Sequence, residues 1–548
     1  MNSYTLILIL FNLFFGIVGC QKNDQNLEVS PRVIKQFSLV GYETEEKYEH
    51  AKELSLKYCS SCHLYSSPHD LRRDDWPQVL REMGSKMGVL KNVKEQGRID
   101  TIRPDTPMLS LQEFEEIREY YLKSSNKEET PQPTHQEYQI SDGLFKVRNV
   151  DYFPKTDFHM VTMVEIDEAR GLIWRGLSHN MNFEYEFGEL EAINSNGQSI
   201  FKVKTNSAPV DIDYLQGNKL IFSTIGSSNY SRGKFEKIND SGHLYELSEI
   251  GNGKYSHKKI SSGLVRPIDI NVFRENSKQK IIVSEFGPSQ PVEGRLSIYN
   301  LDKNNKAIGE LYLDDRPGST KTISYDFNYD GKPDFLRLIS QHYESLELWI
   351  NEGEGKYRLK EITKRPPTWG YIDLEIADFN LDQVPDIVTI NGDNMSYKNP
   401  GLKPYHSISI HLGSIDEKSG IMWNDKPDYS FPLHGGMGIE VQDFDMDGYL
   451  DIAAVAINVD ENDAIKRKLI FLMGDEGLKF SPKIFVNNAI NDFYPLRMSA
   501  GDIDGDGDKD IVIGGMSGPY PFAGTNYQLQ TMKFFTKTVI LENILEKK

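Results

Sequence analysis

"DFDMDGYLDIAAVAI", residues 443–457, sets closely spaced acidic residues directly before an apolar run rich in β-branched residues. Asp443, Asp445, Asp447 and Asp451 occupy positions 1, 3, 5 and 9 of a nine-residue stretch, with Gly448 at position 6. The acids and the glycine read as a turn, and the run after them as a buried strand. Three other segments repeat the pattern: "DFNYDGKPDF" from Asp326, "DFNLDQVPDI" from Asp378 and "DIDGDGDKDI" from Asp502, followed by "FLRLI", "IVTI" and "IVIGG". Three weaker copies precede them: "MVTMVEIDEARGLIWRGLS", "APVDIDYLQGNKLIFSTIG" and "RPIDINVFRENSKQKIIVSEFG". A period of roughly 50 to 65 residues suits four-stranded blades. Seven units predict an all-β, seven-bladed propeller over residues 150–545.

The loop spacing carries a chemistry. Oxygens at positions 1, 3, 5 and 9, with the carbonyl at 7, form a shell of hard ligands suited to Ca²⁺. The candidate sets are Asp326, Asn328, Asp330 and Asp334; Asp378, Asn380, Asp382 and Asp386; Asp443, Asp445, Asp447 and Asp451; and Asp502, Asp504, Asp506 and Asp510. Gln383 replaces the position-6 glycine of the second loop. Turn formation alone also explains such residues, but four loops in register favour calcium, in a structural role. The segments resemble FG-GAP (VCBS-type) repeats over about residues 150 to 540. That resemblance implies a propeller that serves as a binding platform for a glycan, a protein or a surface.

Upstream of the repeats, "KYCSSCHLYSS", residues 57–67, holds two of the three cysteines. C-x-x-C-H is the attachment signature of c-type haem: Cys59 and Cys62 bind the porphyrin edge and His63 is the proximal iron ligand. A zinc site would need two further ligands, and a thioredoxin-like motif a βαβ pattern, and neither is readable here. Helical spacing places Tyr48, Ala51, Leu54 and Tyr58 before the motif, and Trp76, Leu80, Met83 and Met87 after it. A third helix opens on a Ser110/Glu113 capping box and sets Leu111, Phe114, Ile117 and Tyr121 on one face. Residues 40–126 thus resemble a small all-α cytochrome c domain. "W-x-x-x-L-x-x-M" is similar to domains in which that methionine binds the iron, which ranks Met83 first as sixth ligand, then Met108, then Met87. Such a haem implies electron transfer and a redox partner protein.

The start, "MNSYTLILILFNLFFGIVGC", has an apolar run that suits a signal peptide over residues 1–19, and "IVGC" resembles a bacterial lipobox. The resemblance implies lipid on Cys20, a stalk over residues 20–39, membrane attachment, and an exported protein, periplasmic or on the outer membrane or cell surface. Residues 127–149 read as a polar linker. The net charge of −19 excludes nucleic acid as a partner. No nucleotide-binding glycine motif, G-x-S-x-G or H-E-x-x-H occurs. His342, His406, His411 and His434 are scattered and read as structural, with only His434, in "LHGGMG", in a pocket-like context. The sequence therefore points to an exported haem c electron-transfer protein whose propeller binds a partner or substrate. Two alternatives stay open: a quinoprotein dehydrogenase-like propeller feeding the haem, and a polysaccharide lyase.

Overall fold

The computed structural model describes residues 42, 44–90, 94–95, 98–99, 104, 106–128, 139–140, 143–151, 159–179, 187–226, 241–251, 253–287, 294–393, 403–416, 420–457, 467–491, 493–517 and 535–545. The expected signal peptide, Cys20 and the stalk lie outside them.

The unit of the β region is visible around Asp378. An inner strand, Tyr371–Ala377, leads into the Asp loop, and the strand after it, Asp386–Asn391, is buried at every residue. Asp334–Ile339 and Asp451–Ala456 are buried throughout in the same way. A second strand is covered on both faces by its neighbours, which is why it reads as an unbroken apolar run. Outermost strands such as Ser199–Thr205 have one face in water and alternate instead.

Seven such sheets form the propeller. Their inner strands are, from blade 1 to blade 7, His159–Asp167, Pro209–Leu215, Pro267–Glu275, Ser319–Tyr325, Tyr371–Ala377, Gly436–Gln442 and Phe493–Gly501. Each packs against the next, and the seventh packs back on the first. Side chains stitch neighbouring blades together. Asp211 accepts the Ile270 N–H at 2.6 Å, Asp269 that of Thr322 at 3.0 Å, and Asp373 that of Ile439 at 3.2 Å. Ser499 closes the circle on the Ile166 N–H at 3.1 Å.

Three expectations change. The linker expected over residues 127–149 is partly strand: Gln139–Ile140 runs parallel to the edge of blade 6. Phe145–Asp151 then becomes the outermost strand of blade 7, antiparallel to Phe535–Asn543. The ring is closed by joining the two ends of the β region, a long-range pairing that has no local signature. In the weaker repeats, "VDID" and "PIDI" are inner strands rather than loops, so their acids face the propeller axis and stitch blades.

Among the described residues, three helices precede the propeller: α1, Glu45–Cys59; α2, Trp76–Lys86; and α3, Leu111–Ser124. The Ser110/Glu113 capping box is present in both directions. Tyr48, Ala51, Leu54, Trp76, Leu80, Phe114, Ile117 and Tyr121 form their shared core, whereas Leu111 is exposed. Gly84 lets α2 lie close to α3, since a Cβ there would stand 2.5 Å from the Phe114 ring. Within the described residues, no helix is long and apolar enough to cross a membrane.

Up-and-down strands place successive turns at opposite ends of each blade. The Asp loops join first to second strands and share one face of the propeller. The turns from second to third strands, and the crossings between blades, share the other. The helical unit sits on that second face: Thr368 Oγ1 donates to Asp70 Oδ2 at 3.3 Å, and the Tyr405 hydroxyl to the Asp70 carbonyl at 3.1 Å.

Candidate functional site

α1 ends at Cys59, and a turn through Ser60 and Ser61 brings Cys62 and His63 back beside it. All three line one cavity between the helices and the propeller, a domain-boundary position of the kind cofactor sites favour. Trp76, Val79, Leu80, Met83 and Met87 of α2 and its C-cap form an apolar wall, with Tyr121 from α3. Two bonds fix the loop after the motif: Trp76 Nε1 donates to the Pro68 carbonyl at 2.9 Å, and the Tyr121 hydroxyl to that of Ser66 at 2.6 Å. The buried ammonium of Lys86 and the propeller residues His342, Pro367 and Thr368 complete the lining.

Burial sets the protonation states here. It lowers the pKa of His63, and the Leu64 carbonyl, 2.9 Å from Nδ1, fixes the proton on that nitrogen. Nε2 is left as a neutral lone-pair donor, the form in which imidazole binds a metal. Desolvation pushes the Cys59 thiol up to about 11, the reverse of what a reactive redox thiolate needs. Cys59 is a free thiol, while Cys62 takes part in a disulfide. Covalent haem requires both sulfurs as thioethers, so that disulfide and haem attachment exclude each other.

Of the three candidate methionines, Met83 and Met87 face the cavity. Met108 packs into the helical core, its N–H donating to the Met87 carbonyl at 3.0 Å. His342 differs from its reading as a structural histidine: it is 4% exposed and lies in the cavity wall, and its Nε2 is buried without a hydrogen-bond partner. Desolvation, His63 and Lys86 all lower its pKa. No motif marks His342, because its neighbour His63 is almost 280 residues away in the chain. By contrast, His411 Nδ1 is 2.7 Å from the Asn424 carbonyl.

On the opposite face, the four Asp loops share a backbone scheme. The position-1 carboxylate accepts the position-6 N–H at 2.8 to 2.9 Å in every loop. The position-9 acids, Asp334, Asp386, Asp451 and Asp510, are buried, and each accepts two backbone N–H groups, one from position 2 of its own loop and one from the third strand of its blade or, for Asp386, from Gly413 just beyond it. Desolvation raises Asp451 to about 7 and the other three to about 6. Asp443, Asp445 and Asp447 bring carboxylate oxygens within 4.8 Å of one another, as do Asp502, Asp504 and Asp510. Asp508, at position 7 of the last loop, is a further acid that the spacing rule overlooked. It is 2% exposed, and neither of its oxygens has a hydrogen-bond partner. That orphaned carboxylate and the buried, unbonded Oδ1 of Asp445 suit a hard cation.

A second acidic group lies on the axis of the ring, where Glu165, Asp211, Asp213, Asp269, Glu375 and Glu440 surround Lys321 and Arg497. Desolvation raises all six acids, and Lys321, paired with Asp373 at 3.1 Å, stays charged.

Residues 293–389 match the family model described as FG-GAP-like repeat. The match covers blade 4 and parts of blades 3 and 5, including the first two Asp loops. No curated protein matches the chain. Among solved structures, the chain is similar to the one titled "Structure of Dos1 propeller", at 10% identity and a TM-score of 0.39, over 73% of this chain and 96% of that one.

Proposed function

We propose that this chain is an electron-transfer protein carrying haem c in the cavity between its helices and its propeller. Cys59 and Cys62 attach the group, His63 binds iron through Nε2, and the apolar wall of α2 keeps water away. The bound group supplies a one-electron couple. The observation that carries the reading is the convergence of the C-x-x-C-H triplet on a cavity that also holds a buried imidazole nitrogen without a partner. Lys86 offers a positive charge in the wall, which suits the propionates of a porphyrin. The propeller is the binding half, presenting a partner or substrate to the haem face, while calcium in the Asp loops stiffens the opposite face. Lipid on Cys20 would hold the exported protein at a membrane.

The test is to express the full chain in a host competent for haem maturation and to extract with acidified acetone. Haem that stays with the polypeptide, and that is lost in Cys59→Ala and Cys62→Ala, is the expected result. Extractable haem, or a Cys62 disulfide persisting in the matured protein, overturns the reading.

A further inference from the structure

His342 stands in residues 340–344, the connection between Asp334–Ile339 and Ser345–Gly353 of blade 4. The stretch of chain between second and third strands is much longer elsewhere, as between Asp386–Asn391 and Ser407–His411 in blade 5. Two of its residues, Gln341 at φ +66° and Glu344 at φ +34°, are left-handed although neither is glycine. Such residues are strained and persist only where the surroundings impose them. The clamps are present. Ser340 N–H donates to the Gly318 carbonyl at 2.8 Å, Arg365 N–H to the Glu344 carbonyl at 2.7 Å, and Tyr371 N–H to Glu344 Oε2 at 2.8 Å.

This short, strained and clamped loop delivers a single ring to the cavity. His342 faces His63 with ring centroids 6.2 Å apart and planes 17° from parallel. Two imidazoles on opposite sides of one metal, each bound through a ~2 Å bond, have centroids about 6 Å apart; the stacked rings here keep that separation, and end-on binding needs each to turn its edge toward the other. The buried Nε2 of His342 has no hydrogen-bond partner, which is costly unless something else binds it. We propose that His342 is the sixth ligand of the haem iron, contributed by the propeller across the domain boundary in place of Met83. This rests on the haem reading. It makes the coordination state of the iron depend on how the helical unit sits on blade 4, so a ligand that shifts the two would change the redox potential.

The test uses the full-length, haem-loaded protein. Wild type should give a low-spin ferric spectrum without the sulfur–iron charge-transfer band at the red end. His342→Ala should turn high-spin and bind carbon monoxide when reduced, and added imidazole should restore the low-spin spectrum. His342→Met should raise the reduction potential, because methionine in place of histidine favours ferrous iron. Imidazole rescue separates lost ligation from misfolding. A sulfur–iron band in wild type that vanishes in Met83→Ala overturns the proposal while leaving the haem reading intact. So does an unchanged low-spin spectrum in His342→Ala. Absence of covalent haem from all variants overturns the haem reading itself.

Discussion

In the loop that begins at Asp443, and again in the one that begins at Asp502, three carboxylates meet within 4.8 Å; among the described residues, those of the loops at Asp326 and Asp378 do not. The backbone scheme is shared, so the difference lies in the side chains. Position 3 is Asn328 or Asn380 in the early pair and an acid in the late pair. In the early pair the position-5 acid also has a partner within the loop. Lys332 Nζ lies 2.8 Å from Asp330, and Asn380 Nδ2 donates to Asp382 at 3.0 Å. Gln383, at position 6 of the second loop, takes a φ of +68° without being glycine, whereas Gly448 and Gly507 reach +94° and +96° freely. The repeat thus preserves a turn, while the number of unneutralised acids, on which any cation affinity would depend, differs between the two pairs.

The largest effect should come from the staple all four loops share. Asp451→Ala would leave the Phe444 and Gly474 N–H groups, now at 2.8 and 2.7 Å from its oxygens, buried without acceptors. The expected cost is about 2–6 kcal/mol, at 1–3 per orphaned group, read by denaturant unfolding in excess chelator. A cost no larger than that of Asp447→Ala would remove the special role of position 9 as a backbone staple.

Next comes metal content. Elemental analysis should find two tightly held calcium ions per chain rather than four. Each should stabilise the propeller by about 2.7 kcal/mol at a hundred-fold excess over Kd. Four equivalent ions would erase the contrast between the early and late loops, and none would reduce all four to turns.

A smaller, signed effect concerns pH. In Asp451 and Asp510 burial raises the pKa from 3.8 to about 7 and about 6. The metal-free native state therefore holds protons that the unfolded chain releases. That contribution to stability is full below the unfolded pKa and fades as pH rises through 6 to 7. Calcium competes with those protons, so the rise in melting temperature it produces should grow between about pH 5 and about pH 7.5. The buried histidines titrate in the opposite sense but cancel in the calcium-minus-chelator difference. A calcium increment independent of pH would mean that the raised carboxylates are not the ligands. The smallest expected effect is that of Asp330→Asn, whose melting curve should match wild type with or without calcium, since an exposed pair with Lys332 is all it loses.

Legibility followed the range of the interactions. The four Asp loops, the three helices and the Ser110/Glu113 box were readable because turn chemistry, capping and helical spacing act within a few residues. Seven blades followed from counting, although two of the three weaker copies were read one strand out of place. The acids of "VDID" and "PIDI" look like loop acids, and only the pairing shows Asp211 and Asp269 accepting N–H groups from the next blade. Met83 and Met87, set on one face by helical spacing, line the cavity, while Met108, ranked from the likeness of its loop rather than from a helical face, is not among the lining residues.

By itself the sequence determined the local grammar of this protein: a cysteine pair and histidine at the end of a helix, and acids spaced to fold into turns before buried strands. The tertiary structure alone decided which ends met. It joined Phe145–Asp151 to Phe535–Asn543 to close the ring. It gave the Asp loops and the helical unit opposite faces, because up-and-down strands send alternate turns to opposite ends. It also set His342 against His63. Burying apolar surface rewards any pattern that hides it, but where two distant side chains meet depends on the twist and closure of the whole ring, which no local spacing encodes.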